Sequence, residues 1–259
     1  MRMNNAVLHV LVGFAVLVIL WQAAVSFGHY NPALFPSPRS VVIGVGELIA
    51  NGVLYKGIAA SMYRFAVGYG IAVILGIVTG LILGWLKNIW PFVNPVVQIL
   101  RPISPIAWLP FVVLWFGIGD LPAILIVVIA GFFPVLLSTV SAVVKIDPTY
   151  LKIAKNFGIR QPALLTKIVF PAAFPHIATG LHLALGTAWV FLVAGEMVGA
   201  QSGLGYLIID SRNNFRSDHL MGTMLTIGLL GLLLDGAIRL LERWVARTWN
   251  IQSGEKGAD

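Results

Sequence analysis

The sequence predicts an all-α, polytopic membrane helix bundle with about six transmembrane helices. Three observations predict it. Of 259 residues, 58% are hydrophobic, and the mean hydropathy is +0.90. Apolar runs of about 20 residues recur, which is the length that crosses a hydrocarbon core. Only 10% of residues are charged, and most of these fall between the runs. In lipid each backbone N–H and C=O must be satisfied within its own segment, so long unbroken runs become helices. The short alternating segments of a membrane barrel are absent.

The first span is expected over about Ala6 to Phe27. Ala24-Val25-Ser26 resembles a cleavage site, but the apolar run exceeds a signal-peptide core, so an uncleaved span is expected. Pro32, Pro36 and Pro38 then enforce an extended loop. Val41 to Met62 is less apolar, broken by Glu47, Asn51-Gly52 and Lys56, and is expected as an amphipathic interfacial helix. Span two, about Phe65 to Leu86, carries Gly68, Ala72, Gly76, Gly80 and Gly84 at every fourth position. That smooth face should lie buried against another helix, because small residues allow close approach.

Span three, about Pro91 to Ile118, is interrupted by Pro91, Pro95, Pro102, Pro105 and Pro110 and must kink. Irregular backbone at membrane depth belongs beside protein or a watery cavity. Span four ends near Val144, span five covers about His176 to Val198, and span six about Leu220 to Leu241. The chain is thus expected as a single transmembrane domain over 1–259. An N-terminal span and outer amphipathic segment fill 1–62, a helical core 63–243 and a charged tail 244–259.

The net charge of +7 could suggest nucleic acid, but the basic residues occupy short loops without aromatic interleaving, so no nucleic-acid partner is expected. Loops grouped with the termini hold Arg2, Lys87, Lys145, Lys152, Lys155, Arg160, Lys167, Arg239, Arg243, Arg247 and Lys256. The opposite loops hold Arg39, Lys56, Arg64, Arg212 and Arg216. Eleven against five places the termini in the cytoplasm by the positive-inside rule. There are no cysteines, which excludes disulfides and thiolate metal sites. No phosphate-binding Gly-x-x-x-x-Gly-Lys-Ser/Thr loop occurs, so any ATP chemistry belongs to another chain. No cofactor or metal is expected in this one.

Between spans four and five lies the polar, basic insert 147–175, which reads DPTYLKIAKNFGIRQPALLTKIVFPAAFP. Asp147 before Pro148 is a good N-cap and helix start. Gly158 can end that first helix. A second helix from about Gln161 to Phe170 should run into Pro171. A helix–glycine–helix knob on one face of a membrane protein is a docking surface.

Ala154, Gly158, Ile168 and Pro171 have the spacing of the EAA loop of ABC-transporter permeases. Lys152 stands where that pattern has Glu, and Phe170 where it has Leu. Arg101-Pro102-Ile103-Ser104-Pro105 through Trp108-Leu109-Pro110, with Trp115-Phe116-Gly117-Ile118-Gly119, resembles the nitrate/sulfonate/taurine/bicarbonate permease group. So do Pro171 to Ile177, Glu196-Met197 with Gly203-Leu204-Gly205-Tyr206, and Leu34 to Pro38. The resemblance covers about Leu34 to Arg243. It implies the type I ABC importer permease fold in a bacterial or archaeal plasma (inner) membrane. It implies import of a small anion of the nitrate, sulfonate/taurine or bicarbonate class, or of another small solute such as a vitamin precursor. It further implies a second permease copy, two cytoplasmic ABC ATPase subunits that bind ATP and Mg, and an extracytoplasmic substrate-binding protein. By the same resemblance, Lys152, Ala154, Lys155, Gly158, Ile168 and Pro171 form the ATPase-coupling element.

Ionisable residues at membrane depth are costly and often functional. Arg101, Ser104 and Trp108 on the proline-broken span are candidate pathway residues, although Arg101 can equally snorkel or cap freed carbonyls. His182 and Trp189 share a face of span five that either lines a path or packs in the bundle. Glu196 is expected near the outer interface, at a gate or in an ion pair with an arginine. Asp235 and Arg239 are set for an intrahelical pair. An intramembrane enzyme would need catalytic groups converging at one depth, which the scattered polar residues do not suggest. A secondary transporter would more often show internal repeats, and none is evident.

Overall fold

In the computed structural model, residues 2–28, 31, 34–86, 88–147, 149, 154, 156–159 and 163–248 are described. Every regular element among them is helical. The chain packs as two compact units, Met1–Ala60 with Ser202–Leu229, and Ser61–Gln201 with Leu230–Asp259.

In the first unit, α1 (Arg2–Gly28) meets α2 (Pro38–Ala50) across the proline loop, where the Trp21 indole N–H donates to the Pro36 carbonyl at 3.1 Å. Ser37 caps α2 by accepting from the Ser40 N–H, and Pro38 opens the helix. Asn51 and Gly52 (φ +69°) stop α2, and α3 (Val53–Trp85) starts at once. The interfacial helix expected over Val41 to Met62 is therefore two elements. Its second half is the first turns of the long span, because the glycine break sits at 52 and nothing interrupts the chain after it. Residues 217–229 open α9 (Ser217–Thr248), preceded by α8 (Leu204–Asn213). Gly44 and Gly222 allow α2 and α9 to touch: a Cβ on Gly222 would lie 2.5 Å from Val45 Cγ2.

The second unit is built around α6 (Asp120–Val144), which is packed on two sides. The small-residue stripe of α3 lies against it. A Cβ on Gly68 would stand 2.7 Å from Val127 Cγ1, on Gly76 2.8 Å from Val135 Cβ, and on Gly84 2.8 Å from Val143 Cβ. Facing β-branched side chains thus fill the groove left by the glycines, the arrangement that drives helix association where lipid offers no hydrophobic gain. On its other side α6 meets α7 (Phe170–Gly199), where Thr187 Oγ1 reaches the Ala130 carbonyl at 3.3 Å. Val97 on α4 (Trp90–Leu100) joins Leu136 and Val140 of α6 in a buried cluster.

Span three is broken as its prolines require. After α4 come a turn, the 3₁₀ helix Pro105–Trp108 and α5 (Leu109–Phe116), with an 83° bend between the two halves. Gly117 (φ +74°) and Gly119 close the turn into α6, and the Gly119 N–H donates to the Gly199 carbonyl at 3.0 Å. Among the described residues, four helices are long and apolar enough to cross a membrane, five with the bent pair as one span, and a shorter apolar helix covers Val12–Gly28.

One expectation is corrected at Pro171. The second insert helix does not end there. A π-helical stretch, Leu165–Val169, runs straight into α7, and the Phe170 N–H bonds to the Leu165 carbonyl. Widening the ladder by one residue re-registers it just before a residue with no N–H to give. The fifth candidate span consequently begins at Lys167 instead of His176.

Candidate functional site

The insert keeps the caps its sequence calls for. The Thr149 N–H donates to Asp147 Oδ1 at 2.8 Å, and this bond holds the Asp147 carboxyl below its ordinary value. Gly158 takes φ +69°, and the Ile159 N–H donates to the Ala154 carbonyl at 3.0 Å. That six-residue bond across a left-handed glycine is the Schellman closure. Ala154 is buried under the turn, while Phe157 is 79% exposed at its tip. Ile168 and Pro171 are half-buried in the helix that leaves the insert. Lys152 and Lys155 lie outside the described residues. Phe157 was not singled out from sequence. Its signal is position, since the residue before a terminating glycine projects from the apex of the turn.

A second site is a buried ion cluster joining α3, α6 and α7. Arg64 Nη1 donates to Glu196 Oε1 at 2.7 Å, and its Nε to Asp120 Oδ1 at 2.7 Å. The Ser61 hydroxyl sits on the Glu196 carboxylate, 2.9 and 2.8 Å from its two oxygens. Arg64 and Glu196 are 1% and 0% exposed, so the ion pair expected of Glu196 with an outer-side arginine forms enclosed in protein. The sequence placed Arg64 among loop charges. The early start of α3 carries it into the bundle instead.

His182 bridges two carboxylates of α9. Its Nε2 lies 2.7 Å from Glu242 Oε2 and its Nδ1 3.3 Å from Asp235 Oδ1. Asp235 also accepts from Arg239 Nη2 at 2.6 Å, the intrahelical pair its spacing predicts. Trp189 is packed: its ring meets Phe65 edge-on at 5.4 Å, and a Cβ on Gly231 would approach its Nε1 to 3.1 Å. Arg101 and Ser104 are exposed at the broken span and Trp108 is half-buried there. Arg101 also lines a cleft of about 490 Å³.

In the first unit, Arg216 Nη2 lies 2.6 Å from Glu47 Oε2, 2.7 Å from Asp218 Oδ2 and 2.6 Å from His219 Nε2. The Arg216 hydrogen bond, then that of His219, holds Glu47 below the ordinary carboxyl range; Asp218, then Glu47, raises Arg216. Ligand atoms of Glu47, Asp218 and His219 fall within 4.8 Å of one another, but the guanidinium already supplies the cation among them.

Long apolar helices, a proline-broken span and a capped polar insert define a polytopic membrane transport subunit. Residues 72–249 match the family described as binding-protein-dependent transport system inner membrane component, and the chain belongs to that family. It is 31% identical over 240 residues to the putative aliphatic sulfonates transport permease protein SsuC of Bacillus subtilis (strain 168), covering 93% of this chain and 87% of that one. It is 30% identical to the taurine transport system permease protein TauC of Escherichia coli (strain K12), over 88% of this chain and 85% of that one. The bicarbonate transport system permease protein CmpB of Synechococcus elongatus (strain ATCC 33912 / PCC 7942 / FACHB-805) is 32% identical, with 94% and 91% covered. The solved structure of the MetNI methionine ABC transporter in inward-facing conformations matches in fold, with a TM-score of 0.65 at 18% identity over 74% of this chain and 96% of that one. The chain is accordingly the membrane permease subunit of an ABC importer, a transport subunit that works with an ATPase and a binding protein.

Proposed function

We propose that this permease imports a small oxyanion and that insert 147–175 faces the cytoplasm, where it receives the stroke of the ATPase. The observation that carries the coupling role is the insert's capped turn, with Ala154 buried beneath it and Phe157 exposed at its tip. A rigid turn with an apolar apex fits a groove on a partner better than it fits bulk water. Lys152, Lys155, Gly158, Ile168 and Pro171 would complete that element. The unbroken helical path from Leu165 through Pro171 into α7 lets a push on the knob travel along the span.

Relatives named for aliphatic sulfonates, taurine and bicarbonate support the oxyanion reading. Two permease copies would enclose the path, two ATPase subunits would bind ATP and Mg, and ATP binding would favour the outward-open state. The charge asymmetry of the loops supports cytoplasmic termini.

Reconstitution of this chain with its ATPase and binding protein in proteoliposomes tests the reading. ATP-driven uptake of labelled taurine, an alkanesulfonate, nitrate or bicarbonate is expected. ATP-driven uptake of only a neutral or cationic solute would overturn the substrate class.

A further inference from the structure

We infer that the cleft beside Arg101 is a binding station for the oxyanion group of the cargo, on the insert-side half of the bundle. The inference rests on the import reading and adds a site and its ligating groups. The cleft is lined by Arg101 of the broken span, Ser138 and Ser141 of α6, and His176, Thr179 and Thr187 of α7. Its volume of about 490 Å³ lies within the range of about 300–1,000 Å³ typical of small-molecule sites.

Three features point to an anion. The titratable lining groups are Arg101 and His176, and no carboxylate is among them. Arg64, Arg216 and Arg239 each hold a carboxylate within 2.7 Å, whereas Arg101 makes no ion pair with any described residue. The Arg101 guanidinium is exposed at the cleft and free to meet an anion there. Its fork then matches two oxygens of a sulfonate, nitrate or bicarbonate group.

The hydroxyls sort themselves by prior commitments. Thr187 Oγ1 donates within the protein, to Leu183 and Ala184 of its own helix and Ala130 of α6, and Thr179 to the Pro175 carbonyl. Ser138 and Ser141 have no such bond among the described residues, which leaves their protons for a ligand. Gly180 brings α7 so close to Ser138 that a Cβ there would collide with it, fixing one wall. The position suits a passage. Ser141 lies three residues, roughly 5 Å, from the insert end of α6 at Val144, and Arg101 roughly 17 Å along from the start of α4.

The chain has no cysteine, so Ser141→Cys and Thr179→Cys each place a single thiol in the cleft. The permease–ATPase complex in nanodiscs is labelled with an anionic sulfonate-bearing methanethiosulfonate and with its cationic trimethylammonium counterpart. Rates are normalised to a free thiol. The anionic reagent is expected to react about tenfold faster, as a focused positive potential concentrates anions. Arg101→Gln should bring the ratio near one, and Arg101→Lys should retain most of it. Thiols that do not react, or a ratio that Arg101→Gln leaves unchanged, would overturn the station. Oxyanion uptake without any charge preference would overturn the station and leave the import reading standing. A charge preference without oxyanion uptake would overturn the import reading and, with it, the cargo role of the cleft.

Discussion

Arg64 and Glu196 show what a buried charge demands of its surroundings. Each is enclosed and satisfied: Arg64 donates to Glu196 and Asp120, and Glu196 accepts from Arg64 and Ser61. Removing one partner leaves an uncompensated ion, which costs about 3–5 kcal/mol, while replacing both by apolar groups is often neutral. Arg64→Met should therefore lower thermal stability sharply in detergent, and the double change Arg64→Met with Glu196→Met should recover much of it. Equal losses in single and double variants would show that the pair is not a unit. Glu47 offers a titration instead. Its folded-state value is depressed below 4.5, chiefly by the Arg216 hydrogen bond and then by His219. Its link to Arg216 is thus complete above pH 4.5 and is lost as pH falls through the lowered value. Hydrogen exchange across Arg216–His219 should rise below pH 4.5, and Glu47→Gln should abolish that step. Sequence could expect an arginine partner for Glu196 but could not say which, nor pair Glu47 with Arg216. Glu47 and Arg216 are 169 positions apart, and Arg64 and Glu196 are 132 apart.

At the scale of elements, the most legible feature was the glycine ladder of α3. Small residues at every fourth position of an apolar helix have one physical use, close packing, and the ladder does lie on α6. Gly80→Ala should be overpacked, since its Cβ would sit 2.5 Å from Thr139 Cβ. It should cost about 1–3 kcal/mol. Gly70 has nothing within 4 Å, so Gly70→Ala is the matched control and should be near neutral. Equal effects would show that the ladder is not the contact. The insert was legible through its caps, because Asp147 and Gly158 have strong local preferences. At Gly158 a side chain would meet nothing within 4 Å among the described residues, and the left-handed backbone is the penalty there. Gly158→Asn should keep the fold, and Gly158→Val should cost about 1–2 kcal/mol locally. If Asn also uncouples ATP hydrolysis from uptake, the lost function comes from partner contact and not from the turn; normal uptake in both variants would count against the knob as coupler. The π-stretch before Pro171 was not legible. Proline read locally says stop, and only the continuous packing of α7 on α6 makes a widened turn the better solution.

For the whole molecule, hydropathy fixed the class, since a chain this apolar with helix-length runs has few other solutions. The broken third span was foreseen from its prolines, but its 83° bend and the cleft beside Arg101 depend on how the two halves meet α6 and α7. His176, Ser138 and Ser141 escaped notice because lone polar residues in spans carry no period. From Leu165 the chain leaves the insert as one unbroken helix into α7, which also lines the cleft beside Arg101. The most direct test attaches a single cysteine at Phe157, in a chain that has no other. Phe157→Cys in the assembled transporter should form a disulfide-range cross-link to a single-cysteine ATPase partner, with a yield that changes on ATP binding. A thiol at 157 that instead reacts only with impermeant reagents added outside intact cells would contradict the account.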